Sequence, residues 1–514
     1  MRQPDNTGGH TAAFFVSGAF HAAGRPGRRR LSLAILLAAC AQAPVLPHPA
    51  HAAPPTISVP TEESLQPGEQ PAAAGPFGWI NTLDRSNYLF GNWWGLRPTL
   101  SQYGISIAIQ ETSEVFGNVT GGVKQGAAYD GLTQMVLQVD TQRAFGWHGG
   151  LFNASALQIH GNNLSAENLD TLQTASGIEA DRATRLWELW YDQKFLEEDR
   201  MDIKIGQQSL DQEFMVSQNA LYLINTMFGW PMLPSADLPG GGPAYPLSAL
   251  GVRLRARPVD PVTVLVGVFN GNPAPSTNGD PQVLNPSGLS FPLNGGVLAI
   301  AEIQYTYPSL GTMLYAGQSE PLARTYKLGV WWDSESFPDQ QFDNMGLSLA
   351  NPSSNGIPLG HRGDYGIYAV ADQLIWVDPR ESDRTISLFG RVMGAPQADR
   401  NLVTFSMNAG LTFHEPILHR DDDTFAIGMG YAKVSGDAAA LDKATAFYTG
   451  AYVPVRGGET FVELTYQYEA TPWWQIQPDI QYVFNPGGGL ANPNNPTQRI
   501  GNELVLGLRT NILF

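Results

Sequence analysis

"VELTYQYEATPWWQIQPDIQYVF" (462–484) reads as two strands joined by a tight turn. Val462, Leu464, Tyr466 and Tyr468 alternate with Glu463, Thr465, Gln467 and Glu469. Past "ATP", Trp474, Ile476, Ile480, Tyr482 and Phe484 alternate with Gln475, Gln477, Asp479 and Gln481. Successive strand side chains point to opposite faces, so one face of this hairpin is apolar and the other carries amides and carboxylates. The last residues, "GNELVLGLRTNILF" (501–514), repeat the pattern, with Leu504, Leu506, Leu508, Ile512 and Phe514 on one parity.

The same alternation recurs upstream at Ile105, Ile107 and Ile109, at Met135, Leu137 and Val139, and at Val262, Val264, Val266 and Val268. It returns at Tyr326, Leu328, Val330 and Trp332 and at Val403, Phe405, Met407, Leu411 and Phe413. A soluble sandwich supplies one or two such hairpins, not a pattern held over roughly four hundred residues with a polar second face. Connector lengths add a second criterion. Short ones at 195–200, 258–261 and 470–472 alternate with long ones at 209–249, 271–296, 333–363 and 485–500. Two connectors break the alternation: 308–323 is long and 393–401 is short. With "GTMLYAGQ" (311–318) placed in a connector, about sixteen strands remain, an even number that returns both ends to one side. The expectation is an all-β transmembrane antiparallel barrel with long outer loops and short periplasmic turns. Closure satisfies every backbone donor and acceptor within lipid. Trp187, Trp190, Trp331, Trp332, Trp473, Trp474 and Tyr482 are expected to form an interfacial girdle.

Composition agrees. The chain has 514 residues, a net charge of -17 and only 15% charged residues, which excludes the clustered cations that nucleic acid requires. After the N-terminus no run approaches the ~20 apolar residues of a spanning helix. Arg25, Arg28, Arg29 and Arg30 precede "LSLAILLAA", and a small-x-small site follows at Ala50-His51-Ala52, so residues 1–52 read as an export signal. Cys40, the only cysteine, ends "LAAC", which also resembles a lipidation site. Residues 53–90 read as a Pro/Ala-rich periplasmic linker and 91–514 as the barrel.

"GNWWGLRPTLSQYGI" (91–105), "NVTGG" (118–122), "LWELWYDQKF" (186–195) and "IGQQSLDQEFMVSQNALYLINTMFGWP" (205–231) occur in this order. "TYKLGVWWD", "YAVADQ", "LFGRVMGAP" and the hairpin at 462–484 follow. Together these stretches resemble the carbohydrate-selective porin family, the OprB-type outer-membrane porins, over 91–514. The doubled Trp93-Trp94 departs from the single Trp expected there. The resemblance implies a sixteen-stranded barrel in the outer membrane of a Gram-negative bacterium, passing sugars such as glucose by facilitated diffusion.

A pore performs no covalent chemistry, so its site is a constriction whose groups replace a solute's hydration. Arg suits vicinal hydroxyls because its guanidinium presents donors in a fixed fork. "GVRLRARP" sets Arg253, Arg255 and Arg257 on one parity, and an Arg facing lipid would cost about 2–4 kcal/mol, so these three are expected in the lumen. The same parity argument turns Glu188, Asp192 and Lys194 inward. Connector 209–249 carries Asp211, Glu213, Phe214, Asn219, Asn225 and Trp230 and is expected to fold partly into the barrel. Arg391 and Glu302 are further lumen candidates with a structural bias. No HExxH, GxSxG or metal-ligand spacing is present, so neither an enzyme nor a cofactor or metal is expected. His414 and His419 flank a turn. The expected partners are sugars, outer-membrane lipid and the barrel-assembly machinery, which would read the strand ending at Phe514. The alternatives are a general or ion-selective porin, a secreted soluble carbohydrate-binding β protein or glycosidase, and a plugged adhesive barrel.

Overall fold

The computed structural model describes residues 87–308, 322–380, 383–417, 420 and 422–514. The expected export signal with Cys40, the expected linker up to residue 86, residues 311–318 and His419 lie outside the described residues. The barrel opens with β1 (Ile105–Gly122), β2 (Gly126–Asp140), β3 (Gly150–Gly161), β4 (Ala183–Phe195) and β5 (Met201–Gln208). It continues through β6 (Ala249–Val259), β7 (Val262–Asn270), β8 (Val297–Tyr307), β9 (Arg324–Asp343) and β10 (Pro358–Val377). β11 (Thr385–Gly394), β12 (Val403–His414), β13 (Thr424–Val434), β14 (Gly458–Thr471) and β15 (Trp474–Phe484) lead to a closing strand, Gly501–Leu513. Each strand pairs antiparallel with its neighbours, and the closing strand pairs with both β15 and β1, so the sheet has no free edge.

The faces are inverted relative to a soluble protein. Leu328 is 59% and Leu508 51% exposed on the outside, whereas the inward Glu463 and Gln481 are fully buried. This is the sorting that lipid outside and water inside require. The start of the described residues and the closing strand meet at one rim. Leu89 N–H donates to Leu513 O at 2.8 Å, Phe514 N–H donates to Ile109 O at 2.8 Å, and the Phe514 ring lies 5.4 Å from that of Phe90. That rim also carries the short turns 196–200, 260–261 and 472–473, and the opposite rim carries the longest loops. β9 and β10 run to Asp343 and from Pro358, well into the stretch 333–363 expected as a loop, because their alternation continues past the membrane.

The aromatic girdle is smaller than expected. Trp332 and Tyr482 face out, and Trp473 and Trp474 stack 6.2 Å apart beside the 472–473 turn. Trp187, Trp190 and Trp331 are instead buried inside the barrel. Trp331 and Trp332 are consecutive in a strand, so only one of them can face lipid. Trp187 and Trp190 both turn inward because β4 bulges: Trp187 and Glu188 together oppose Ser155, and the facing reverses across that point.

Loop 209–248 fills much of the interior. Phe214, Leu223, Met227, Phe228 and Leu233 pack in one apolar cluster with the inward Leu298, Trp331, Phe389 and Phe461. Phe228 meets the Phe389 and Phe461 rings edge-on at 5.8 and 5.4 Å. Each such burial contributes roughly 1.5–3 kcal/mol. Gly428 makes room for this packing, since a Cβ there would sit 2.5 Å from Phe228 Cζ.

Candidate functional site: a charged ladder on the lumen wall

Register builds the ladder. Across β4, β5 and β6, Asp192 lies opposite Lys204 and Lys204 opposite Arg253 on one rung. On the rung nearer the short turns, Lys194 lies opposite Asp202 and Asp202 opposite Arg255. Lys204 and Arg253 are like charges face to face, an arrangement that destabilises a strand pair unless it is screened. Glu213, reaching in from loop 209–248, screens it. Its carboxylate pairs with Lys204 Nζ, and its Oε2 lies 2.5 Å from Arg253 Nε. Asp202 pairs with Arg253 and accepts from Arg255 Nε at 2.6 Å, and the Lys204 ammonium sits 4.3 Å above the Trp190 ring. Arg253 and Asp202 are buried within the network, but the Arg255 side chain stays 28% exposed. Its guanidinium is the ladder's open donor fork.

The other expected residues fall elsewhere. Glu188 accepts from Ser209 N–H at 3.0 Å, and Asp211 accepts from Ser209 Oγ at 2.6 Å and Tyr245 N–H at 3.0 Å, so both hold the loop. Burial pushes the Asp211 carboxyl above its ordinary value. Arg391 has its donors occupied: Nε donates to Asn408 Oδ1, and the two Nη groups donate to Met215, Met227, Phe228 and Gly229 carbonyls at 2.5–3.0 Å. Lys194 and Arg257 lie at the short-turn rim, near Asp199 at 3.9 Å and donating to Glu198 O at 3.2 Å respectively. The ladder therefore unites Asp192, Glu213, Arg253 and Arg255 with Asp202 and Lys204, which were not anticipated. Alternation within "MDIKIGQQ" would have set Asp202 and Lys204 on one face; only register shows that this face adjoins Arg253 and Arg255.

A second charged group sits toward the long loops. Arg509 pairs with Glu114 across the closing seam, and Arg185 on β4 is 1% exposed. Arg185 Nη2 donates to Asp181 O at 3.3 Å, while Nε and Nη1 meet no acceptor among the described residues. Above it in loop 162–182, burial and then the nearby Asp280 push the Asp181 carboxyl up, and burial and then Asp130 hold Glu179 well above its ordinary value. Arg185 escaped the parity reading because the β4 bulge lies between it and Glu188. A signal was present: an Arg on the nominal lipid parity implies that the parity breaks.

The family model described as carbohydrate-selective porin, OprB family, matches residues 124–514. The chain belongs to that family. Porin B of Pseudomonas aeruginosa is 23% identical over 452 residues, covering 84% of this chain and 92% of that protein. A putative porin QuiX of Acinetobacter baylyi is 22% identical over 444 residues, covering 82% and 92%. Among solved structures, Pseudomonas putida OprB at high pH aligns with a TM-score of 0.70 at 22% identity, over 84% of this chain and 99% of that one. The protein is thus a carbohydrate-selective outer-membrane porin of the OprB type, and its closed sixteen-strand barrel matches that architecture.

Proposed function

We propose that this porin admits monosaccharide-sized neutral sugars such as glucose by passive diffusion, and that Arg255 is the ladder residue that touches them. The observation that carries this reading is the exposed Arg255 fork beside cations already neutralised by Asp192, Asp202 and Glu213. A compensated wall favours neither ion sign strongly, yet it still presents planar donors to vicinal hydroxyls. The test is single-channel conductance in a planar bilayer titrated with glucose, maltose and a neutral non-sugar of similar size. Saturable block by sugars alone is expected; an open channel with no sugar-specific block would reduce the pore to a general one.

Insertion is proposed to depend on the last strand, through recognition by the barrel-assembly machinery. Phe514 ties that strand to β1 and to Phe90. Its deletion is expected to lower the yield of inserted barrel, and wild-type yield would count against the dependence.

A further inference from the structure

Toward the long-loop rim, buried oxygens from the wall and from the folded-in loop come together without enough donors. Asp364 on β10 is 1% exposed and stands directly opposite the fully buried Asp333 on β9. Like charges so placed in a strand pair repel. Asp237 ends the short helix Met232–Asp237 in loop 209–248, is 7% exposed, and lies near enough to Asp364 for the two charges to act on each other. One segment joins the two carboxylates. Asn401 Nδ2 donates to Asp364 Oδ1 at 3.1 Å, and Val403 N–H, two residues on, donates to Asp237 Oδ1 at 3.1 Å. Gln397, its amide nitrogen turned toward Asp364 Oδ1, lies 3.2 Å from it.

These donors occupy one oxygen of each carboxylate. Asp237 Oδ2, Asp364 Oδ2 and the Asn401 carbonyl Oδ1 are buried and meet no donor among the described residues, and Asp333 Oδ2 is in the same position. The neighbouring cations are already engaged. Arg400 donates to both Asp399 oxygens at 2.9 and 3.0 Å and to Gly363 O at 2.6 Å, and His361 Nε2 lies 2.8 Å from Asp339 Oδ2. A buried carboxylate oxygen without a donor is expensive, and several beside an amide oxygen call for a cation. Among the described residues no three carboxylates or imidazoles gather as ligands, so Asp333 adds negative field, and the set itself is two carboxylates with an amide oxygen.

We propose that Asp237, Asp364 and Asn401 hold a calcium ion, which clips the end of the Met232–Asp237 helix to the barrel wall between β10 and β12. The donor set selects that ion. Calcium takes carboxylate, amide and water oxygens in flexible geometry, whereas magnesium demands a near-ideal octahedron and keeps several waters. A set with neither thiolate nor imidazole does not suit zinc or copper. The ligands come from three distant segments, so no spacing in the chain marks them.

The test uses barrel refolded in detergent without lipopolysaccharide, so that no lipid phosphate carries the ion. Calcium is expected to raise the melting temperature above its value in EDTA, magnesium at the same concentration to raise it less, and terbium to give saturable emission that calcium displaces. The Asp237→Asn/Asp364→Asn variant keeps the shape of the site and loses its charge, so calcium should leave its melting temperature unmoved. Should that variant fail to refold, Asp237→Asn alone should weaken terbium binding about tenfold, because affinity follows the count of charged ligands. A wild type with one melting temperature in EDTA and in calcium and no saturable terbium emission would overturn the proposal, as would a calcium shift of full size in the double variant or undiminished terbium binding in the single one.

Discussion

Two walls of the same lumen use the same residue types to different ends. On β4, β5 and β6, carboxylates meet cations across the rungs and one guanidinium is left open. From β8 to β15, inward carboxylates accept backbone N–H groups from folded-in loops. Glu302 takes Met215 at 2.9 Å, Glu463 takes Ile224 and Asn225 at 2.5 and 3.0 Å, and Glu459 takes Leu172 and Gln173 at 2.8 and 2.7 Å. Asp372 accepts from Ser217 Oγ at 2.7 Å, and Gln477 and Gln481 donate to Tyr222 and Ala175 carbonyls at 2.8 and 2.7 Å. A loop placed inside a barrel carries backbone groups that need partners, and these inward residues supply them. An inward polar residue therefore meets either a solute or a loop, and its orientation alone does not separate the two roles.

The largest effect is expected where the loop wall is cut. Arg391→Ala strands several carbonyls at about 1–3 kcal/mol each, which should release loop 209–248, raise and destabilise the conductance, and lower the melting temperature. An unchanged open-channel current would break the contrast between the walls. On the ladder wall, Arg255→Ala should raise the half-blocking glucose concentration about tenfold, the equivalent of ~1.4 kcal/mol, with the melting temperature unmoved. Arg255→Lys should restore part of the block, because it keeps the charge and loses the fork. Glu213→Gln should act next. It removes the carboxylate shared by Lys204 and Arg253 and leaves Asp192 and Asp202 alone against the ladder's cations, so the reversal potential in a salt gradient should shift toward anion preference. The smallest effect is expected at the rim, where Lys194→Ala and Arg257→Ala should change glucose block by less than about twofold, as exposed and screened charges do. A rim variant that abolished block would move the site away from Arg255.

Much of this was legible in the chain. Alternation identified the strands, and connector lengths oriented them, because pleat and membrane each impose a simple period. Two failures share a cause. Trp187 was assigned to the lipid interface, and Arg185 was passed over, since a bulge between Arg185 and Glu188 shifts the facing by one residue, whereas Trp190 already shares the inward parity of Glu188, Asp192 and Lys194. The mark of that bulge in the chain is Arg185 itself, a cation on the parity that would otherwise face lipid.

What the sequence by itself determined is which side chains share a face wherever a strand runs without a bulge, since that depends only on the two-residue repeat; at the β4 bulge it did not. Tertiary structure alone decided which of those side chains are brought together in the lumen. Asp202, Lys204 and Glu213 join Arg253 through register and through the start of the loop that follows β5 and folds inward. Contacts of that kind depend on how the closed sheet aligns its strands and on what the loops bury, and neither is a local property of the chain.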